Sequence, residues 1–349
     1  MSRRNIIGAV TAGVVFLAGL VAALLVSSGG GAAAPPPTTT AEVPTTTTTA
    51  PPVFPLTGLP VGDAVAVAAR PALVVKVDNS GKARDRLAGV NRADVVYVEG
   101  VEGGVTRLAA VFHSTDSDVG PVRSARTTDV GLTANLNRPL FAHSGANQGV
   151  LEQVRGANLV DLGYDVRPGD YQVRGSGVLR FFIDTAAFFG FAPPGTGPPP
   201  ALFTHRGQGP AVTATGAEDT AGVRMGYGGV TNTQVSYQAV PEGWARSQDG
   251  TPYVDASGAQ VVPPNVIVQF SEYRDSGFVD VVGSPSPEAV TVGEGEAWVL
   301  TGGKLIRGRW SRPDPAAVTT YTDSAGAPIA LTPGRTWIEL APIGSAAPL

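Results

Sequence analysis

From Ile6 to Val26 the chain runs for 21 residues without a charged side chain, directly behind the basic pair Arg3 and Arg4. At about 1.5 Å of rise per residue such a segment reaches about 30 Å, enough to cross the hydrocarbon of a bilayer. The apolar core of a cleavable signal is shorter, about 7–15 residues. The sequence therefore predicts a basic cytoplasmic head over residues 1–5 and a single-pass transmembrane signal anchor over 6–26. The rest should be extracytoplasmic, because the positive flank stays in the cytoplasm. Cleavage near Ala32, Ala33 and Ala34 is the alternative outcome.

Residues 27–55 are dominated by Gly, Ala, Thr and Pro, with a run from Thr45 to Thr49 and seven prolines between 35 and 55. A segment whose one apolar residue larger than alanine before Val53 is Val43 has almost nothing to bury, and its prolines favour extended geometry, so it reads as a disordered linker. Such a stalk is either a plain solvated spacer or an acceptor for O-glycans. The chain has no cysteine. That excludes disulfides, thiolate catalysis, cysteine metal sites and the acylated cysteine of a lipoprotein. A net charge of −4 at pH 7 gives no basic footprint for a nucleic acid.

The remaining roughly 290 residues are long enough for two domains. In the first, Leu73 to Val77 is a β-branched run that ends in the turn cluster Asp78-Asn79-Ser80-Gly81. Asp94 to Glu102 and Val105 to Phe112 read as a hairpin closed by a two-residue turn at Gly103-Gly104. In that register Gly100 faces Arg107 and Glu102 is the diagonal neighbour of Arg107, while Glu99 falls on the opposite face unless a bulge turns it. Arg123 and Arg126 then open a helical stretch reaching about Leu136. Positive charge at a helix start needs an acidic offset, either an internal carboxylate (Glu99, Glu102 or Asp129) or an anionic ligand.

In the second half, runs at Val266 to Phe270, Phe278 to Val282, Ala297 to Leu300, Lys304 to Trp310, Val318 to Tyr321 and Thr336 to Leu340 are separated by turn residues, with a hairpin signal at Gly302-Gly303. No strand alternates with a long helix, so a small sandwich or partly open barrel is expected rather than a parallel sheet. The fold class expected is α+β: an N-terminal mixed α/β domain followed by a smaller, mostly-β domain.

Ala93 to Tyr97 with Glu99, Glu102-Gly103-Gly104 with Thr106-Arg107, the string Gly120-Pro121-Val122-Arg123-Ser124-Ala125-Arg126 and the turn Ala142-His143-Ser144-Gly145 together resemble the YerB-like family of bacterial proteins described as lipoproteins. The likeness extends to Asn265-Val266-Ile267-Val268-Gln269, Trp310 and Pro333-Gly334-Arg335-Thr336-Trp337. It implies an N-terminal α+β domain over 56–205, a boundary loop over 206–230 and a C-terminal β-rich domain over 231–342, both halves being of unknown function. Since no cysteine is present, the family's lipid anchor does not carry over.

Candidate ligand-binding residues are Arg107, Arg123 and Arg126, with Glu99, Glu102, His143 and Ser144 around them. The arginines either grip an anion through planar guanidinium forks or form an internal network with the carboxylates. The apolar run Leu140 to Ala142, the turn at His143-Ser144 and a helix near Asn147 share the outline of a nucleophile elbow, but lack its flanking glycines, and a capping role for Asn147 or Ser144 competes. His113, His143 and His205 have no metal-ligand spacing, Asp116-Ser117-Asp118 lacks the later residues of a calcium loop, and Gly226-Tyr227-Gly228-Gly229 is no phosphate loop, so neither metal nor cofactor is expected. Trp298, Trp310 and Trp337 are either core residues or sugar contacts. The reading is a membrane-anchored extracytoplasmic binding or scaffolding protein of the cell envelope. Its expected partners are the membrane and an anionic or cell-wall polymer, not nucleic acid. The alternative is a cell-wall hydrolase or transferase that uses Glu99 or Glu102 with His143 or Ser144.

Overall fold

Every residue of the strands Leu73–Asp78, Val95–Gly100, Thr106–Phe112 and Asn265–Ser271 is buried, as is all of Thr336–Pro342 but its last residue. Strands covered on both faces lose the polar alternation of a surface sheet, which is why they read as near-continuous apolar runs. The computed structural model describes residues 52–207, 209, 211–280 and 282–349. The head, the span expected over 6–26 and the linker up to residue 51 lie outside the described residues. Among the described residues no helix is long and apolar enough to cross a membrane.

One large mixed sheet runs in the order Thr320–Thr322, Lys304–Arg312, Gly293–Thr301, Asn265–Ser271, Thr336–Pro342, Val95–Gly100, Thr106–Phe112, Leu73–Asp78, Leu140–Ala142 and Val160–Asp161. The expectation of a second half free of parallel pairing fails at Thr336–Pro342. That strand lies parallel to Asn265–Ser271 on one side and to Val95–Gly100 on the other, joining strands of both halves into one sheet. The physical reason is burial: a strand apolar on both faces belongs at a sheet centre, and this one takes the place between the two halves.

The sheet has a different cover on each face. Over one lies a five-stranded antiparallel sheet built from Gly222–Gly226, Gln234–Val240, Gly243–Gln248, Thr251–Pro252 and Ala346–Pro348, whose Val223, Tyr237 and Trp244 share a core with Val268, Leu300 and Trp337. A sandwich is thus present, although its larger layer is the shared sheet. Over the other face lie the helices Thr127–Thr133 and Gln148–Gly156, with Leu132, Val150 and Val154 against Val74, Val111 and Ile338. Trp298, Trp310 and Trp337 are at most 9% exposed, which makes them core residues rather than a sugar platform.

The two glycine-pair turns differ. Thr301 pairs with Lys304 across Gly302-Gly303, the two-residue turn expected. At Gly103-Gly104 the hairpin instead pairs Glu99 with Arg107 and Gly100 with Thr106, and a three-residue loop from Glu102 closes it. Tertiary contact decides this. Thr231 and Thr233 donate backbone hydrogen bonds to the carbonyls of Gly103 and Gly104, and a Cβ on Gly104 would fall 1.7 Å from the Gly228 carbonyl oxygen. The Gly228-Gly229 pair therefore serves close backbone packing between the halves.

His113 is fully buried beside the Phe54 ring, and neither ring nitrogen makes a hydrogen bond of normal geometry among the described residues. Burial, and then the nearby Arg70 charge, hold its pKa down at about 4, against 6.5 ordinarily. The ring is neutral in the fold, so between about pH 6.5 and 4 the unfolded chain binds more protons, and the stability tied to this site is intact above that window and lost as pH falls through it. A His113→Leu variant should gain on the wild type by about 1–2 kcal/mol over that fall in pH, read from urea midpoints. A gap that stays constant with pH would contradict this.

Candidate functional site

Asp78 and Glu99 are each the cross-strand partner of Arg107, so the three side chains share one face of the sheet, with Lys76 two residues back from Asp78 on that face. A charge at position 76, between Val75 and Val77 in a fully buried strand, needs buried partners. Lys76 Nζ donates to Glu99 Oε1 and, at 2.8 Å, to Asp129 Oδ1, with all three side chains at most 1% exposed. The second Asp129 oxygen accepts the Arg126 backbone N–H at 2.7 Å, fixing the start of helix Thr127–Thr133. Glu99 Oε2 has no hydrogen-bond partner among the described residues; burial, reinforced by the Asp129 charge, pushes the Glu99 carboxyl up against the opposing pull of Lys76.

Each arginine has a different environment. Arg126 grips Glu102 with two parallel hydrogen bonds, Nε to Oε1 at 2.8 Å and Nη2 to Oε2 at 2.7 Å. Burial alone would raise the Glu102 carboxyl, yet the Arg126 bond and charge outweigh it and hold it at about 2. Arg123 forms an ion pair with Asp78, Nε to Oδ2 at 2.7 Å. Arg107, only 7% exposed, has no carboxylate within 4 Å among the described residues and makes one hydrogen bond, Nη1 to the Ser124 carbonyl at 3.0 Å. Burial, then the like charges of Arg126 and Arg123, lower its pKa to about 9, which leaves it cationic at neutral pH. The diagonal Glu102–Arg107 contact expected from the two-residue turn is therefore replaced by Glu102–Arg126. The longer loop moves Glu102 off the strand and brings Glu99 onto the face of Arg107.

All three guanidinium groups line a cavity of about 420 Å3. Its opposite wall is the turn Ser144-Gly145-Ala146-Asn147, locked to the arginine segment by backbone bonds from Ser144 to Arg123 and from Ala125 to Gly145. Asn147 caps helix Gln148–Gly156, its Oδ1 accepting the Gly149 N–H at 3.0 Å, which leaves the capping role, not the nucleophile elbow, as what this turn performs. The remaining wall comes from a two-stranded arm, Tyr273–Val279 with Pro285–Ala289, through Val279, Asp280 and Ser286. Asn147 Nδ2 donates to the Val279 carbonyl at 3.1 Å, Ser286 Oγ donates to Glu102, and Phe278 sits where a side chain at Gly149 would be.

The structure thus brings Arg107, Arg123, Arg126 and Ser144 to one cavity and leaves the rest of the predicted set outside it. Glu99 is sealed beneath with Lys76, and Glu102 is neutralised by Arg126 at the margin. His143 is fully buried and turned toward Asp161, Nε2 to Oδ1 at 2.9 Å, with Nδ1 against Gly145. Neither His143 nor either glutamate of the predicted set lines the cavity beside Ser144. Sequence reasoning missed Asn147 as a lining residue and the arm residues Val279, Asp280 and Ser286. It also missed Lys76, which a charge inside the apolar run Leu73 to Val77 could have flagged.

Residues 56–176 match the family described as "Protein of unknown function (DUF3048) N-terminal domain", and residues 223–338 match the C-terminal domain of the same family. The chain belongs to this family. Its DUF3048 relatives include "Putative lipoprotein YerB" of Bacillus subtilis (strain 168), 29% identical over 301 residues that make up 82% of this chain and 86% of the relative. The crystal structure of the YerB protein from Bacillus subtilis has the same fold, with a TM-score of 0.70 at 23% identity over 85% of this chain and 99% of that one. In this DUF3048 member the N-terminal match contributes the arginines and Ser144 to the cavity, and the C-terminal match contributes the arm.

Proposed function

We propose that the protein is a membrane-associated, extracytoplasmic binding module of the cell envelope, held by its apolar N-terminal segment, with an anion site at the arginine cavity. The observation that carries the reading is Arg107. A buried guanidinium with no carboxylate in direct contact is costly to maintain, and its two neighbours already have carboxylates of their own while it lines the cavity. An anion entering the cavity would supply the missing charge through charge-assisted hydrogen bonds. The lipoprotein wording of the Bacillus relative's name agrees with an envelope location. The cavity supports binding over hydrolysis, because neither glutamate nor His143 lines it.

Thermal melts with acetate, inorganic phosphate and an acidic wall oligosaccharide at constant ionic strength test this. A ligand at about 100 times its dissociation constant stabilises by about 2.7 kcal/mol, and that gain should vanish in Arg107→Gln. Melting temperatures that none of the anions moves, or that move equally in the variant, would overturn the reading.

A further inference from the structure

The donor pattern and the cavity lining narrow the class of anion. Arg107 spends Nη1 on the Ser124 carbonyl, while Nε and Nη2 donate no hydrogen bond among the described residues and are not sealed from the cavity. Nε and Nη2 form the side edge of the guanidinium, two parallel N–H bonds whose spacing matches the two oxygens of one carboxylate. Charge points the same way. Asp78 offsets Arg123, Glu102 offsets Arg126 and Asp280 lines the same cavity, so at most one positive charge is left to balance, which suits a monoanion better than a phosphate dianion or a polyphosphate. Aliphatic side chains of Ala125, Ala146, Val150 and Val279 share the lining with polar Asn147, Asp280 and Ser286, and the hydroxyls of Ser124 and Ser144 make no hydrogen bond among the described residues. At about 420 Å3 the space admits a small ligand and no more than the end of a polymer.

From this we infer that the site takes a small aliphatic monocarboxylate. The carboxylate lies side-on to Arg107 Nε and Nη2, and a methyl-sized substituent rests against Ala146 and Val150. This rests on the anion-site reading above and narrows it. Two sources share the chemistry, a short free acid and the C-terminus of a peptide with small side chains.

Calorimetric titration with N-acetyl-alanyl-alanine, its C-terminal amide, propionate and inorganic phosphate separates them. The dipeptide acid or propionate should bind at least about tenfold more tightly than the amide and phosphate. Arg107→Lys, which keeps the charge and loses the fork, should weaken that binding at least about tenfold. Propionate equal to the dipeptide supports a free acid, and a tighter dipeptide supports a peptide terminus. Phosphate binding as tightly as the carboxylates, with Arg107→Gln abolishing both, would overturn the carboxylate assignment and leave the anion site standing. No Arg107-dependent binding of any anion would overturn both. Should the variants fail to fold, the wild-type ranking of acid, amide and phosphate decides.

Discussion

A Lys76→Met substitution should lower the unfolding free energy by about 3–5 kcal/mol, the range for removing one member of a buried ion cluster. Methionine keeps most of the side-chain volume, so the loss is electrostatic rather than a cavity. Lys76 Nζ is the donor shared by Glu99 and Asp129, and without it two fully buried carboxyl groups face each other. Glu99, already pushed up by burial, would take a proton, while Asp129 would still have to accept the Arg126 N–H that starts the helix beside the cavity. Adding Glu99→Gln to Lys76→Met should recover part of the loss, since it removes one of the two stranded acids. Urea unfolding of both variants checks this. A single-variant loss under about 1 kcal/mol would mean that water reaches the cluster.

The second large effect lies on the opposite face of the sheet. Glu339, in the middle of the central strand, is fully buried and accepts hydrogen bonds from Tyr237 of the five-stranded sheet at 2.7 Å and from Tyr227, just past that sheet's strand Gly222–Gly226, at 2.6 Å. Arg246 Nε lies 3.6 Å from the same carboxylate, and its guanidinium is stacked 4.1 Å above the Tyr253 ring. Burial first, and then the Glu339 charge, push both tyrosine hydroxyls well above their ordinary pKa, so they stay protonated and keep donating. Glu339→Leu leaves a buried arginine without its counter-charge, the buried Tyr237 hydroxyl without its acceptor, and Tyr227 with only the Val98 carbonyl at 3.2 Å. The expected destabilisation is about 3–5 kcal/mol. Converting Arg246 to leucine as well should return part of it, and a double-mutant cycle with no coupling between the two positions would contradict the account.

Much of the sheet is legible in the sequence because strands buried on both faces are written as short runs dominated by Val, Ile and Leu, as at Leu73–Asp78 and Asn265–Ser271. Strand neighbours are another matter. Nothing local to Thr336–Pro342 says that it will lie parallel to Val95–Gly100, more than 200 residues earlier in the chain. Pairing across that distance is decided by which apolar surfaces remain to be covered once local hairpins have formed. The hairpin at Gly103-Gly104 shows the same limit at short range. Its glycines allow a two-residue turn, but contact with Gly228 selects a longer loop, and the one-residue change of register decides which carboxylate faces Arg107. The arm was legible only in part, since Pro285 and Pro287 interrupt the strand pattern and are tolerated because this ribbon pairs on one edge alone.

The arginine cluster was legible as a cluster, because three guanidinium groups near one helix start cannot all go without acidic partners. Its division of labour was not. Which arginine is matched by Glu102, which by Asp78, and which stands free depends on side-chain reach across segments that meet only in the fold.

The most direct test of the free guanidinium is a nitrogen–proton correlation spectrum of the arginine Nε–H groups, with Arg107→Lys identifying the Arg107 signal, recorded during titration with acetate and then with inorganic phosphate at constant ionic strength. The account predicts that the Arg107 signal shifts saturably with at least one of these anions, while the Arg126 signal, held by Glu102, moves little. An Arg107 signal that stays in place throughout both titrations would contradict it.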